Sequence, residues 1–67
     1  MGEKTPRLTA KEVEAMLFSS GFVLDRQKGS HKIYVKNKYR IVIPYHGQKE
    51  LHPKIIKEAL EVLEAAK

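Results

Sequence analysis

The chain has 67 residues and a net charge of +5, and it contains no cysteine. This length accommodates one domain, which we expect to span residues 1–67 with about residues 1–6 disordered. The lack of cysteine excludes disulfides, thiolate nucleophiles and cysteine-based zinc sites. No apolar run approaches the roughly 20 residues of a membrane span and no signal peptide is visible, so we expect a cytoplasmic protein.

The net positive charge lies in the middle of the chain. Residues 1–20 and residues 51–67 each carry as many acidic as basic side chains, whereas residues 21–50 carry seven basic side chains and two acidic ones. This distribution predicts a polyanionic partner, most simply a nucleic acid. The alternative is a solvated lysine-rich surface without a specific partner.

The first predicted helix spans residues 10–19. Thr9 and Glu12 form the sequence pattern of a capping box, and Gly21 stands just past the last turn, where a left-handed cap favours glycine. One face of this helix consists of residues at helical spacing, namely Val13, Met16, Leu17 and Ser20.

The first predicted strand is short. The apolar run Phe22-Val23-Leu24 favours a β-strand, and the polar residues Asp25-Arg26-Gln27 that follow are typical of its end. The segment Lys28-Gly29-Ser30 is then predicted to turn the chain back.

Two further strands are predicted over residues 31–36 and 39–43. Asn37-Lys38 is a two-residue connection between them, and asparagine tolerates the positive φ of a tight hairpin turn. Pro44 cannot donate to a sheet ladder, so it is expected to end the third strand or to mark an edge.

Side-chain alternation in the second strand separates two faces. Ile33 and Val35 share the face that we expect to pack against the helices, and a regular strand places His31 on that same face. The opposite face carries Lys32, Tyr34 and Lys36. In the third strand, Arg40 points away from the apolar odd-numbered positions.

The second predicted helix spans residues 53–65 and begins at Pro53, a residue favoured at the first helical position. Its apolar face is formed by Ile56, Ala59, Leu60 and Leu63. The fold class is therefore predicted as α+β with the order α-β-β-β-α, in which a three-stranded antiparallel sheet is covered on one face by two helices.

His31 follows a tight turn and stands between basic residues in Lys28-Gly29-Ser30-His31-Lys32. Histidine has an unperturbed pKa near neutrality, so one imidazole can both take and give a proton at cellular pH. This suits RNA cleavage by 2′-hydroxyl attack, with cationic side chains and the amides of Gly29 and Ser30 stabilising the negative charge. That chemistry needs neither a metal nor a cofactor. The alternatives are a surface hairpin with an idle histidine and a hydrogen-bonded structural histidine.

The other two histidines carry weaker predictions. His46 is a second acid–base group, a loop residue or a support for His31, and His52 is an exposed residue or a helix cap. None of the three is paired at helical spacing or accompanied by a carboxylate cluster, so no metal site is expected.

Four segments stand in a fixed order along the chain: Gly21 to Val23, Arg26 to Tyr34, Val42 to His46, and Lys49 to Leu51. Together they resemble the HicA toxins, the mRNA-cleaving partners in HicA/HicB toxin–antitoxin systems. The resemblance covers nearly the whole chain, and its most specific part is the Gly-Ser-His turn at a fixed distance before the Pro-x-His segment.

The resemblance implies a fold like that of a double-stranded-RNA-binding domain and a ribosome-independent mRNA endoribonuclease with His31 as the catalytic residue. It also implies a HicB-type antitoxin that binds and blocks the toxin, in a complex that represses its own operon. The family usually has a glycine near the start of the second helix, where this chain has Leu51-His52-Pro53-Lys54.

Domains of this type bind phosphates and 2′-hydroxyls rather than reading base order. The predicted RNA-binding residues are Lys28, Gly29, Ser30, Lys32, Lys36, Arg40 and Lys54, the last of them at the positive end of the second helix. Two other functions stay open. One is a non-catalytic RNA-binding module of the same fold, and the other is a protein-interaction domain whose basic face meets an acidic partner.

Overall fold

Two helices pack on one face of a three-stranded antiparallel sheet in the computed structural model, which describes residues 6–46 and 49–66. The elements in chain order are α1 (Ala10–Ser19), β1 (Val23–Lys28), β2 (His31–Lys36), β3 (Tyr39–Pro44) and α2 (Pro53–Ala65). This arrangement confirms the predicted fold class, and the bounds of α1, β2 and α2 agree with the prediction. The expected disorder of residues 1–6 falls, apart from Pro6, outside the described residues. No helix in the described part of the chain is long and apolar enough to cross a membrane.

Helix α1 begins at the capping box that the sequence predicts. The Thr9 amide donates to Oε1 of Glu12 at 2.8 Å, and the Glu12 amide donates to the Thr9 hydroxyl oxygen at 3.3 Å. Val13 and Leu17 are buried, whereas Met16 on the same predicted face is exposed. Gly21 follows the helix with φ +98°, which confirms the left-handed residue at its end.

Helix α2 begins where Pro53 predicts it, and His52 is its N-cap. Nδ1 of His52 accepts a hydrogen bond of 3.1 Å from the Lys54 amide, so the imidazole serves the helix end in place of the usual Ser, Thr, Asn or Asp. Ile56 and Ala59 are the buried residues of this helix. The structure thus confirms the prediction that His52 is a helix cap.

Strand β1 is longer than the sequence predicts. It runs through Lys28, and Asp25 is an extra residue in a bulge between the paired positions Leu24 and Arg26. All of its residues are exposed. An exposed edge strand has no apolar alternation to indicate its length, which is why the polar residues after Leu24 suggested a turn.

The prediction that Ile33 and Val35 face the helices is wrong. The helix-facing side of β2 is formed by Lys32, Tyr34 and Lys36: Tyr34 is fully buried, and all three side chains contact helix residues or their carbonyl groups. His31, Ile33 and Val35 therefore lie on the other side of the sheet. The expected assignment failed because two lysines on a strand suggest a solvated face, whereas here both ammonium groups have partners inside the protein.

We call the side of the sheet away from the helices the open face. Strand register places three rows of directly opposed residues on it: Lys28–His31–Pro44, Arg26–Ile33–Val42 and Val23–Val35–Arg40. Ile33 is 7% exposed because it stands in the middle of the central strand. The remaining core lies between the sheet and the helices and comprises Ala10, Val13, Leu17, Phe22, Tyr34, Ile41, Ile43, Leu51, Ile56, Ala59 and Ala66.

Candidate functional site

His31 is the first residue of β2 and is exposed on the open face. It directly follows the Gly29-Ser30 turn, in which Gly29 has φ +58°, a conformation that costs glycine little. Its side chain makes no hydrogen bond or ion pair with any of residues 6–46 and 49–66. The imidazole is therefore open to an incoming ligand rather than held as a structural group.

The neighbours of His31 across the sheet are Lys28 and Pro44. Directly opposed residues have Cβ atoms about 4.5–5.5 Å apart. The side chain of the exposed Lys28 therefore leaves the sheet next to that of His31. The fold thus brings Lys28 and His31, both predicted site residues, directly together. Arg40 lies on the open face, away from the apolar odd-numbered positions of β3 as predicted, and it shares that face with His31 because the assignment of β2 is reversed.

Arg26 is a residue of this site that the sequence prediction missed. It opposes Ile33, two residues along β2 from His31, or about 7 Å, whereas Arg40 opposes Val35, four residues and about 13 Å away. Side chains two residues apart in a strand share a face, and Lys28 is directly opposite His31. If this segment had been recognised as a strand, Arg26 would therefore have been placed on the face of His31. Among the cations that β1, β2 and β3 place on the open face, Arg26 is thus the nearest to His31 after Lys28.

Arg26 has one acidic neighbour, Asp25. Its Nε lies 3.4 Å from Oδ2 of that residue, and the two side chains are 69% and 45% exposed. Exposed pairs of this kind are worth little, with a median of about 0–1 kcal/mol. A phosphate can therefore compete for the guanidinium group.

Lys32 is predicted to bind RNA, and the structure places its ammonium group in a network on the helix-facing side of the sheet. Nζ lies 3.4 Å from Oε2 of Glu14 in α1 and 3.9 Å from the centre of the Tyr45 ring. Tyr34 donates a 2.6 Å hydrogen bond to the same Glu14 oxygen. Glu14 and Tyr45 carry no sequence signal for this role, since only the packing of α1 on the sheet brings them to Lys32.

The Tyr34 hydroxyl is held in its neutral form by this network. Burial raises its pKa well above the ordinary value of a tyrosine, and the hydrogen bond to Glu14 and the charge of that carboxylate raise the pKa further. Tyr34 is thus neutral and donates its hydroxyl proton to Glu14 near neutral pH.

Lys36 connects the ends of both helices. Its ammonium group donates to the carbonyl oxygen of Ser20, the C-cap of α1, at 2.5 Å and to that of Ala66, the C-cap of α2, at 2.8 Å. A cation at two helix C-termini also interacts favourably with both helix dipoles. Tyr39, the register partner of Lys36, adds a 3.2 Å hydrogen bond to the carbonyl of Ala65.

His46 follows β3 beside the turn that precedes His31. The Tyr45 amide donates a hydrogen bond to the Ser30 carbonyl, which joins the two segments. His46 is exposed and lines a cavity of about 230 Å³ at the start of α2. The fold therefore brings the segment with His46 next to the turn that delivers His31.

Lys54 lies in the first turn of α2 and is exposed. Its amide is already bonded to His52, so an anion at this helix end would meet the Lys54 side chain and the helix dipole but not that amide. Within residues 6–46 and 49–66, no group of three histidine or acidic side chains lies close enough together to hold a metal ion.

These features define a small basic α+β domain in which the exposed imidazole of His31 stands beside cationic side chains on the open face. The family model described as "HicA toxin of bacterial toxin-antitoxin" matches residues 10–65, which is most of the chain. The chain belongs to the HicA toxin family, and the match confirms the resemblance found in the sequence. Membership makes it a toxin of a toxin–antitoxin system, with an antitoxin partner and an RNA substrate in general terms. Searches of curated proteins and of solved structures find no match.

Proposed function

We propose that this HicA-family chain is an endoribonuclease that cleaves mRNA with His31 as its acid–base group and without a metal ion. The observation that carries the proposal is the exposed imidazole of His31, which has no partner in the described part of the chain and stands beside Lys28. A group that must exchange protons with a substrate needs this accessibility, and an imidazole suits the task near neutral pH.

In the proposed reaction, the 2′-oxygen of a ribose attacks the adjacent phosphorus and the bond from phosphorus to the 5′-oxygen breaks. One proton leaves the 2′-hydroxyl and one is delivered to the 5′-oxygen, so the products are a 2′,3′-cyclic phosphate and a 5′-hydroxyl. His31 performs one of these transfers, a contribution of typically about 10²–10⁴-fold. His46, on the neighbouring segment, is the candidate for the other transfer or for support of His31.

The negative charge that develops on the phosphate is stabilised by groups around His31. Lys28 and the amides of Gly29 and Ser30 are the nearest, because Lys28 is directly opposite His31 and the two amides belong to the turn that precedes the imidazole. Arg26 extends this positive field along the sheet, and Arg40 and Lys54 bind the RNA backbone farther away. Lys32 and Lys36 rank below these as RNA contacts because their ammonium groups already have partners within the protein.

Inhibition follows from the same geometry. A HicB-type antitoxin that covers His31 prevents access of RNA, and an acidic surface on that antitoxin would be attracted by the cations of the open face. Because mRNA is the substrate, we place the activity in the cytoplasm.

The proposal is tested with purified protein, EDTA and two matched RNA oligonucleotides. One is all-ribose, and the other carries a single 2′-deoxyribose at the main cleavage position. We expect cleavage of the first in EDTA, with a cyclic phosphate end, and none of the second at the substituted position. Equal cleavage of both would overturn the mechanism. Salt-sensitive binding with no cleavage of either would instead establish the non-catalytic RNA-binding module.

A further inference from the structure

A cavity of about 230 Å³ lies between the end of β3 and the first turn of α2. Its apolar walls are Pro44, Leu51 and Ile55, and its polar walls are His46, Lys49, Glu50 and His52. It is smaller than the roughly 300–1,000 Å³ of sites for drug-sized ligands. Its size and its mixed lining suit one planar heterocycle held between apolar side chains and hydrogen-bonded at its edge.

The polar walls combine a hydrogen-bond acceptor, Glu50, with a hydrogen-bond donor, His52. The Glu50 carboxylate can only accept hydrogen bonds. His52 uses Nδ1 to accept from the Lys54 amide, so its neutral ring carries the proton on Nε2 and can donate there. A ligand for this cavity should therefore present neighbouring N–H donors to Glu50. It should also present a hydrogen-bond acceptor to the donors on the other polar walls, such as Nε2 of His52 and the Lys49 ammonium group. Among the four RNA bases, only guanine has two adjacent N–H donors on its Watson–Crick edge beside a carbonyl acceptor.

We propose that this cavity binds one unpaired guanine of the RNA strand, next to the linkage that is cut. The inference rests on the proposed endoribonuclease function and adds a base preference to it. RNA-binding proteins that read sequence commonly take up a base that is splayed out of a single strand.

The position of the cavity relative to His31 fits a neighbouring nucleotide. Pro44 lines the cavity and is also the residue directly opposite His31 in the sheet, so a single residue separates the two sites. Opposed residues have Cα atoms about 4.5–5.5 Å apart. A strand whose phosphate lies at His31 can therefore place the adjacent base in the cavity without stretching.

The cavity walls are fixed by contacts with the segment that precedes α1. The Leu51 amide donates a 2.8 Å hydrogen bond to the Leu8 carbonyl, and Glu50 is bridged to Thr9 in an antiparallel sense. Leu51 is buried, and Ile55 is half-buried. Glu50 is exposed, but its backbone is held by these contacts, which limits where its carboxylate can lie.

The experiment uses short oligonucleotides in which one ribose in a DNA background makes a single cleavable linkage. The base on either side of that linkage is varied through all four identities, and the cleavage rate is measured for the wild type, Glu50→Gln and the control Glu61→Gln. Glu61 is exposed on α2 and lies outside the cavity. We expect guanine on one side of the linkage to be preferred by about tenfold over the other bases, a factor typical of one bidentate contact. Glu50→Gln should reduce that ratio to about threefold or less, and Glu61→Gln should keep it.

Failure of this inference is distinguishable from failure of the proposed function. Cleavage of all oligonucleotides at equal rates, or an unchanged ratio in Glu50→Gln, would overturn the guanine site and leave the endoribonuclease standing. If nothing is cut, the same comparison is made by fluorescence anisotropy with all-deoxy oligonucleotides that differ in one base. A guanine preference that disappears in Glu50→Gln would then still support the site, and equal binding of the four would exclude it.

Discussion

The hydroxyl of Tyr34 donates a 2.6 Å hydrogen bond to the carboxylate of Glu14, a residue that precedes it by 20 positions in the chain. Lys32 approaches the same carboxylate at 3.4 Å. One acidic side chain of α1 therefore satisfies two polar groups on the covered side of the central strand, and the helix is fixed on the sheet by a specific contact as well as by apolar burial.

Removal of the Glu14 carboxylate should destabilise the fold. Glu14→Ala leaves the Tyr34 hydroxyl and the Lys32 ammonium without their acceptor, and we expect it to lower the free energy of unfolding by about 2–3 kcal/mol. Glu14→Gln keeps an acceptor and should cost about half as much. Urea denaturation measures both, with Glu61→Ala as the exposed control within about 0.5 kcal/mol. If Glu14→Ala lowers the free energy of unfolding by less than about 0.5 kcal/mol, the network does not contribute to stability.

Stability should fall at alkaline pH because of Tyr34. Its pKa is raised in the folded protein, whereas an unfolded tyrosine loses its proton near pH 10. Above about pH 10 the unfolded chain binds fewer protons than the folded one, so the free energy of unfolding decreases as the pH rises from there toward the higher folded pKa. The stabilisation that Tyr34 contributes through its raised pKa is fully present below about pH 10.

The variant Tyr34→Phe isolates this effect. The two proteins differ only at Tyr34, so the measured quantity is the difference between wild type and variant in urea unfolding from about pH 8 to about pH 11. We expect the difference to shrink as the pH rises. Parallel curves would mean that Tyr34 has no raised pKa.

Lys36 should contribute to stability rather than to cleavage chemistry. Lys36→Met removes the charged donor from the carbonyls of Ser20 and Ala66 and should lower the free energy of unfolding by about 2 kcal/mol. Lys57→Met, on the exposed surface of α2, is the matched control with little effect. If the two variants unfold at the same urea concentration, the connection between the helix ends is unimportant.

Arg26 and Arg40 should differ in their effects on cleavage. Arg26 lies nearer to His31 in the register of the sheet, so Arg26→Ala should lower the maximal cleavage rate more than Arg40→Ala does. Both variants should weaken RNA binding and reduce the slope of log affinity against log salt by about 0.7 for each phosphate that is no longer neutralised. Equal cleavage rates for the two variants would contradict this ranking, and a wild-type rate in Arg26→Ala would remove Arg26 from the site.

Local signals in the sequence were sufficient for most of the fold. The Thr9 capping box, Pro53 and the periodic apolar residues predict both helices within their observed bounds, and Asn37, with φ 55°, forms the predicted hairpin turn. These features depend on residues that are close in the chain, so they can be recognised without knowledge of the packing.

The two sides of the sheet could not be assigned in the same way. Lys32 and Lys36 can face the helices because Glu14 and two helix-end carbonyl groups accept hydrogen bonds from their ammonium groups. All of these partners are distant in the sequence. The same reversal moved His31 to the open face, where the proposed chemistry requires it to be. Arg26 was missed because an exposed edge strand carries no apolar alternation.

The proposal that His31 performs acid–base catalysis is tested most directly by His31→Ala. Cleavage of an all-ribose oligonucleotide in EDTA should fall by about 10²–10⁴-fold, while the urea unfolding midpoint and the salt-dependent affinity for an uncleavable 2′-deoxy oligonucleotide stay close to those of the wild type. A folded His31→Ala protein that cleaves RNA at the wild-type rate would contradict the account.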